Sequence, residues 1–199
     1  MTRVALLHPR SVLLVTLACF AALSAAAALA GVLPADAALR DQLLALASPP
    51  MIAAMRVINA AGDYRLLIPG TALLFVLFPR ARRRWWLWVG LMVVAAAGPD
   101  AVKLLIARPR PFDTSLGFPS GHATAAAAYF GAVMYLAGSL RPPPRVLIRL
   151  GALVMIVLVA VARVMLRAHW PSDALGGVTL GLALASAAAL IAALPPADA

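Results

Sequence analysis

The sequence predicts an all-α polytopic membrane protein. The expectation is six transmembrane helices, with short interfacial helices in the first outer loop, folded as one domain over residues 1–199. Two observations carry it. Of the 199 residues, 64% are hydrophobic and 12% charged, whereas a soluble domain carries about a quarter charged residues; mean hydropathy is +0.95. The apolar residues also gather into runs near the ~20 residues that cross a bilayer, with arginines and prolines clustered between them.

The first run, Ser11–Leu33, follows Arg3 and Arg10 and ends in small residues at Ala28–Ala30. That order resembles a secretory signal, but the run is longer than the usual apolar region, so it reads as an uncleaved anchor. The second span, Tyr64–Phe78, is short and contains Pro69 and Gly70. The third is Trp85–Ile106, the fourth Gly121–Leu140, the fifth Val146–Leu166 and the sixth Ala174–Leu194. Between the first two, Pro34–Asp63 carries Leu39, Leu43, Leu44, Leu46, Met51, Ile52 and Met55, a pattern of short helices lying on the membrane surface. No repeat or low-complexity tract interrupts the chain, and the tail Pro195–Ala199 is too short to add an element.

Net charge is +10. Basic proteins often bind nucleic acid, but here the charges sit at span ends, which excludes that reading. Arg80, Arg82, Arg83 and Arg84 fall between two spans, and Arg141, Arg145 and Arg149 flank another junction. The positive-inside rule then places both termini and these loops in the cytoplasm. Trp85, Trp86 and Trp88 form an inner aromatic belt. The loops Ala107–Ser120 and Arg167–Ser172 fall outside, together with Pro34–Asp63. Lys103, Arg108, Arg110, Arg163 and Arg167 crowd those outer loops against the topological trend, and an anionic ligand would explain them. Cys19 is the sole cysteine, so no internal disulfide forms. All seven acidic residues are Asp, and no pair of them reads as a two-metal carboxylate site.

Three segments of the outer face hold the chemistry-bearing residues. Lys103-Leu-Leu-Ile-Ala-Arg-Pro-Arg110-Pro111 ends the third span, Pro119-Ser-Gly-His122 opens the fourth, and Arg163 to Asp173 bridges the fifth and sixth. Phosphoryl transfer without metals needs cations and N–H donors around three oxygens, an in-line nucleophile and an acid for the leaving group. Lys103, Arg110 and Arg163 supply charge. Ser120, Gly121 and His122 open a helix, where free N–H groups and the dipole favour an anion, and Gly121 lets backbone come close. His169 has Asp173 one helical turn on, with Pro171 at the first turn of the sixth helix. A carboxylate on one imidazole nitrogen raises the basicity of the other, as in a base or nucleophile. His122, with no carboxylate close in sequence, suits acid–base work.

These segments resemble the signature of the type 2 phosphatidic acid phosphatase family, K-x6-R-P, then P-S-G-H, then S-R-x5-H-x3-D. The matches are Lys103, Arg110 and Pro111; Pro119, Ser120, Gly121 and His122; and Arg163, His169 and Asp173. Ala162 stands where the family usually has Ser, a departure that bears on one accessory phosphate hydrogen bond and not on the chemistry. The resemblance implies a membrane lipid phosphatase. His169 would attack phosphorus, Asp173 would orient it, and His122 would protonate the leaving oxygen and then activate water. Lys103, Arg110, Ser120, Gly121 and Arg163 would hold the phosphoryl group. It implies no metal and no cofactor. The expected partner is a phosphorylated lipid such as undecaprenyl diphosphate, phosphatidylglycerol phosphate or phosphatidate, at the outer face of a bacterial inner membrane; no obligate protein partner is implied.

Each segment alone has a plainer reading: Lys103 as a snorkelling anchor, Pro-Ser-Gly as a helix start, His169 beside Trp170 as an interfacial residue. Their order and spacing together favour phosphate chemistry. Two other readings compete. A non-catalytic lipid-phosphate binding or translocating protein would need the cations but not His122, His169 and Asp173. A vanadate-dependent haloperoxidase would share the pocket, but six spans disfavour it. His8 reads as a tail residue, Gly177 and Gly181 as a helix-packing step, and Asp100 and Asp113 as local charge balance. Arg108 and Arg167 read equally as phosphate contacts or lipid head-group contacts.

Overall fold

The structure, a computed structural model, describes residues 8–112 and 114–195. Arg3, which precedes the run read as an anchor, Asp113, read as charge balance, and Asp198, the last of the seven aspartates, lie outside the described residues. The order is α1 (Pro9–Ala30), α2 (Pro34–Ala45), α3 (Pro49–Asn59), a 3-10 turn (Ala60–Gly62), α4 (Tyr64–Leu77), α5 (Pro79–Arg82), α6 (Trp85–Ile106), α7 (Gly121–Leu136), a 3-10 turn (Ala137–Ser139), α8 (Pro144–Met165) and α9 (Pro171–Ala193). Among the described residues, the only β pairing is an isolated bridge between Pro109 and Leu116.

Proline sets most of the helix starts. Pro9, Pro34, Pro49, Pro79, Pro144 and Pro171 each stand in a first turn, where the missing N–H has no intrahelical partner anyway. Ser120 caps α7 and Asp63 caps α4, whose side chain accepts from Arg65 N at 2.9 Å. The span expected at Gly121–Leu140 stops as a helix at Leu136 and continues as a 3-10 turn. Hydropathy marks apolar length, not where the helical hydrogen bonds end.

Four helices, α1, α6, α8 and α9, are long and apolar enough to cross a membrane, or up to five spans if α2 and α3, bent by 117°, count as one. The helices α4, 14 residues, and α7, 16 residues, are shorter. Large apolar side chains point outward, among them Leu29, Val57, Leu104 and Leu105. Surfaces of this kind belong against lipid rather than water.

The centre of the bundle is α7 packed on α9, with α1 also packed on α9. The buried face of α7 is nearly all alanine: Ala123, Ala125, Ala126, Ala127, Ala128 and Ala132. Opposite it stand Gly177 and Gly181. A Cβ on Gly177 would lie 2.5 Å from Ser120 O, and one on Gly181 would lie 2.3 Å from Thr124 O. The small-residue step therefore packs helices, as its spacing suggests, by letting backbones touch.

The arginines of the opposite end close helix termini. Arg84 donates to the carbonyls of Ile191 and Leu194, Arg82 Nε to Phe75 O at 2.6 Å, and Arg149 Nε to Met134 O at 3.0 Å. Final-turn carbonyls otherwise lack partners. With Arg80, Arg83, Trp86 and Trp88, Arg84 and Arg149 line a cavity of about 1380 Å³.

Gly181→Ala is expected to lower the thermal unfolding midpoint in detergent by the equivalent of about 2 kcal/mol or more, since the added methyl meets backbone. Gly151→Ala, with nothing within 4 Å of its Cβ position, is expected to be neutral or slightly stabilising. Differential scanning fluorimetry of both variants checks the contrast.

Candidate active site

The site forms where the N-termini of α7 and α9 meet. Ser120 N donates to Asp173 O at 2.9 Å, while the Ser120 hydroxyl faces Ala123 N at 3.5 Å as N-cap. Gly177 gives the room for this approach. His122 is thereby the second residue of α7, and His169 sits two residues before Pro171 opens α9.

The chain after α6 supplies the first cations. Ala107 ends the helix in a left-handed conformation, φ 53°, with its N–H on Lys103 O at 2.8 Å. A tight loop follows, closed by Gly117 N to Arg108 O at 2.7 Å and Arg110 N to Ser115 O at 3.0 Å. A Cβ on Gly117 would stand 2.8 Å from Asp173 Oδ2, so the loop presses directly on that carboxylate. After α8 the chain folds back on itself: Arg163 O accepts from Ala168 N at 3.1 Å and His169 N at 3.2 Å. This turn brings His169 beside Arg163.

His169 is 2% exposed, its Nδ1 3.5 Å from Asp173 Oδ2. That is longer than a relaxed hydrogen bond, and the buried Nδ1 makes no hydrogen bond among the described residues. Asp173 is itself held by Trp170 N at 3.0 Å and by Arg108 Nη1 at 2.8 Å. Arg110 and Arg163 lie within electrostatic reach of both histidines, and the histidines of each other. Arg163 Nη1 donates to Asn59 Oδ1 at 2.7 Å, while its buried Nε has no partner among the described residues. Burial pushes the His169 imidazole below its ordinary value; Asp173 pulls it back in part, and Arg163 and Arg110 lower it further.

Of the residues singled out in the sequence, His122, His169, Asp173, Arg110 and Arg163 are thus brought together, with Ser120 and Gly121 at the helix start. Lys103 directs its ammonium to Asp100 at 2.7 Å, one turn back on its own helix. Ala162 is fully buried among Met55 and Met165, so its methyl fills an apolar cluster at the edge of the site.

Arg108 takes neither expected role: it is buried, bound to Ser172 Oγ at 2.6 Å and paired with Asp173 and Asp36. Arg167 is exposed, its guanidinium 5.5 Å from the Phe112 ring centroid. Four contributors were not recognised in the sequence. Asp63 Oδ2 stands 3.8 Å from His122 Nε2, giving that imidazole the carboxylate its own segment lacks. Asp36, Asn59 and Gly117 are the others. Asp36 and Asn59 lie in the first outer segment, far from the motifs, and no spacing rule links them to the site.

A family model described as the PAP2 superfamily matches residues 84–194. Phosphatidylglycerophosphatase B of Bacillus subtilis is 33% identical over 111 residues, covering 49% of this chain and 55% of that protein; the match thus spans little more than half of that relative's length. Decaprenylphosphoryl-5-phosphoribose phosphatase of Mycobacterium tuberculosis is 32% identical over 144 residues, covering 67% of this chain and 76% of that protein. The crystal structure of a transmembrane PAP2 type phosphatidylglycerolphosphate phosphatase from Bacillus subtilis superposes with a TM-score of 0.73 and 26% identity, over 91% of this chain and 94% of that one. Aquifex aeolicus LpxE, 14% identical, shares the fold, with a TM-score of 0.62 over 81% of this chain and 96% of that one. With the three motif segments meeting at one end of this bundle, the chain belongs to the PAP2 superfamily.

Proposed function

We propose that the protein is a metal-independent lipid phosphatase working through a phosphohistidine. The observation that carries this reading is the clustering of two histidines, each with its own carboxylate, between Arg110 and Arg163. Binding an anion calls for the cations alone; paired imidazoles are what bond-making and proton transfer require. The unpartnered Nε of Arg163 suits a phosphoryl oxygen, because a buried guanidinium donor left unpaired is costly.

In this reading His169, with Asp173 at Nδ1, attacks phosphorus through Nε2, and the bond from phosphorus to the lipid oxygen breaks. His122 as imidazolium gives its proton to the departing oxygen. Neutral His122 then takes a proton from water as the water oxygen bonds to phosphorus. The P–N bond breaks, releasing inorganic phosphate and restoring His169. Arg110, Arg163 and the α7 N-terminus at Ser120 and Gly121 hold the equatorial oxygens, and Lys103 joins them by leaving Asp100.

The proposed setting is an inner membrane crossed six times, with α4 and α7 as the two short spans. Both termini and the Arg80–Arg84 cluster face the cytoplasm, and the histidines face outward. An outward site at the bilayer edge suits a head group whose tails stay in lipid. Candidate substrates are undecaprenyl diphosphate, phosphatidylglycerol phosphate and phosphatidate; the relatives' names describe phosphatases of phosphatidylglycerophosphate and of decaprenylphosphoryl-5-phosphoribose.

Purified full-length protein in detergent is expected to release phosphate from a panel of lipid mono- and diphosphates in the presence of EDTA, and far less from soluble sugar phosphates. His169→Ala is expected to cut the rate by a factor on the order of 10⁴ and to abolish a base-stable phosphoryl label on the protein. Activity surviving in that variant would remove His169 as nucleophile. Tight phosphate-lipid binding without turnover would favour a binding or translocating protein.

The pH profile gives a second check. The nucleophile must be neutral, and its affinity for a proton is lowered by burial and by Arg163 and Arg110, against the opposing pull of Asp173. The acid limb of kcat/KM is therefore expected below the ordinary imidazole value of about 6.5. A limb above it would contradict the placement of His169 as the attacking group.

A further inference from the structure

Behind Asp173, on the side away from the histidines, lies a buried polar cluster with no part in the chemistry above. Arg108 and Asp36 are each 2% exposed and Ser172 is 6% exposed. Arg108 spans two carboxylates: Nη1 donates to Asp173 Oδ1 at 2.8 Å, and Nη2 pairs with Asp36 Oδ2. Ser172 locks the arrangement, its N–H on Asp36 Oδ1 at 2.8 Å and its hydroxyl on Asp36 Oδ2 at 2.7 Å. The cluster ties α2, the loop after α6 and the start of α9 to one another.

The helix α2 presents more than Asp36 to this region. One turn on, the Arg40 guanidinium lies 4.7 Å from the ring centroid of Trp170, the residue following His169. Leu43, on the same face, packs against the cluster of Met55, Ala162 and Met165. An acid, a cation and an apolar residue at helical spacing thus dock α2 along the segment that carries the nucleophile.

We propose that Asp36 and Arg108 are positioning residues that set the orientation and effective charge of the Asp173 carboxylate, and through it the reactivity of His169. The inference rests on the phosphatase reading of the preceding subsection. Its physical basis is sharing. A guanidinium given wholly to Asp173 would neutralise that carboxylate and weaken its hold on the imidazole. Asp36 draws part of the cation away and leaves Asp173 anionic toward His169. Stability alone is a poor account, because apolar groups of equal volume hold helices together at least as well as a buried ion pair.

The two residues have opposite electrostatic effects, which gives the test its sign. His169 is faced by Asp173 from α9, Arg163 from α8, Arg110 from the loop after α6 and His122 from α7. Asp36→Asn leaves Arg108 fully on Asp173, so His169 loses basicity and the acid limb of kcat/KM moves to lower pH. Arg108→Gln removes the cation, so Asp173 acts on His169 with its full charge and the limb moves to higher pH.

The experiment measures lipid phosphate release across pH with the full-length wild type, Asp36→Asn, Arg108→Gln and Leu43→Ala. Leu43→Ala loosens the docking of the same helix without touching the polar cluster. Support consists of a kcat lowered about tenfold or more in Asp36→Asn, the range typical of lost outer-shell partners. KM stays within twofold, the limb shifts as stated, and Leu43→Ala keeps kcat while losing thermal stability. Should Arg108→Gln not accumulate folded, the Asp36→Asn/Arg108→Gln double variant, free of the stranded acid, takes its place with the same upward shift expected. A kcat of Asp36→Asn within twofold of wild type, or an equal loss in Leu43→Ala, overturns the inference while leaving the phosphatase reading intact. A wild type that releases no phosphate from any lipid overturns both.

Discussion

The contact on which the site depends is between backbones, not side chains. The helices α7 and α9 approach so closely at Gly177 and Gly181 that no Cβ fits between them and the Ser120 and Thr124 carbonyls. Only then does Ser120 N reach Asp173 O, and only then do two helix N-termini converge on the same volume. The positive ends of two helix dipoles meet there, and the histidines ride on those ends. The alanine face of α7 follows from the same demand, since larger side chains would hold the helices apart.

Concentrating cations at one end of an apolar bundle raises a problem of charge, which the described residues resolve locally. Arg110 and Arg163 stay near the histidines, where an anion can neutralise them. Arg108, pointing the other way, is buried with two carboxylates and a hydroxyl as partners. A buried charge persists where it is paired and hydrogen-bonded, and this pairing fixes the Asp173 carboxylate on one side while Gly117 presses on the other. The carboxylate beside His169 is held by structure rather than by solvent.

The arginines of the far end show how one residue type meets two demands. Arginines gathered at one end of an apolar bundle are the kind of charge bias that orients membrane proteins in general. Their guanidinium groups also donate to carbonyls at the ends of α4, α7 and α9, where helical partners run out. Hydropathy statistics detect the first role and say nothing of the second.

The sequence by itself determined the helical membrane character and the boundaries of α6, and it singled out His122, His169, Asp173, Arg110 and Arg163, which the fold brings near one another. Bilayer thickness imposes apolar run length, and phosphate chemistry restricts residue types at short fixed spacings, so both are local signals. Tertiary structure alone decided that Asp63 faces His122, that Asn59 binds Arg163, and that Arg108 serves Asp36 and Asp173 rather than an anion or a head group. Each of those pairs joins elements far apart along the chain, and docking geometry, which carries no periodicity, brings them into contact. The end of α7 at Leu136 was likewise invisible, because apolarity persists through the 3-10 turn where the helical ladder has already stopped.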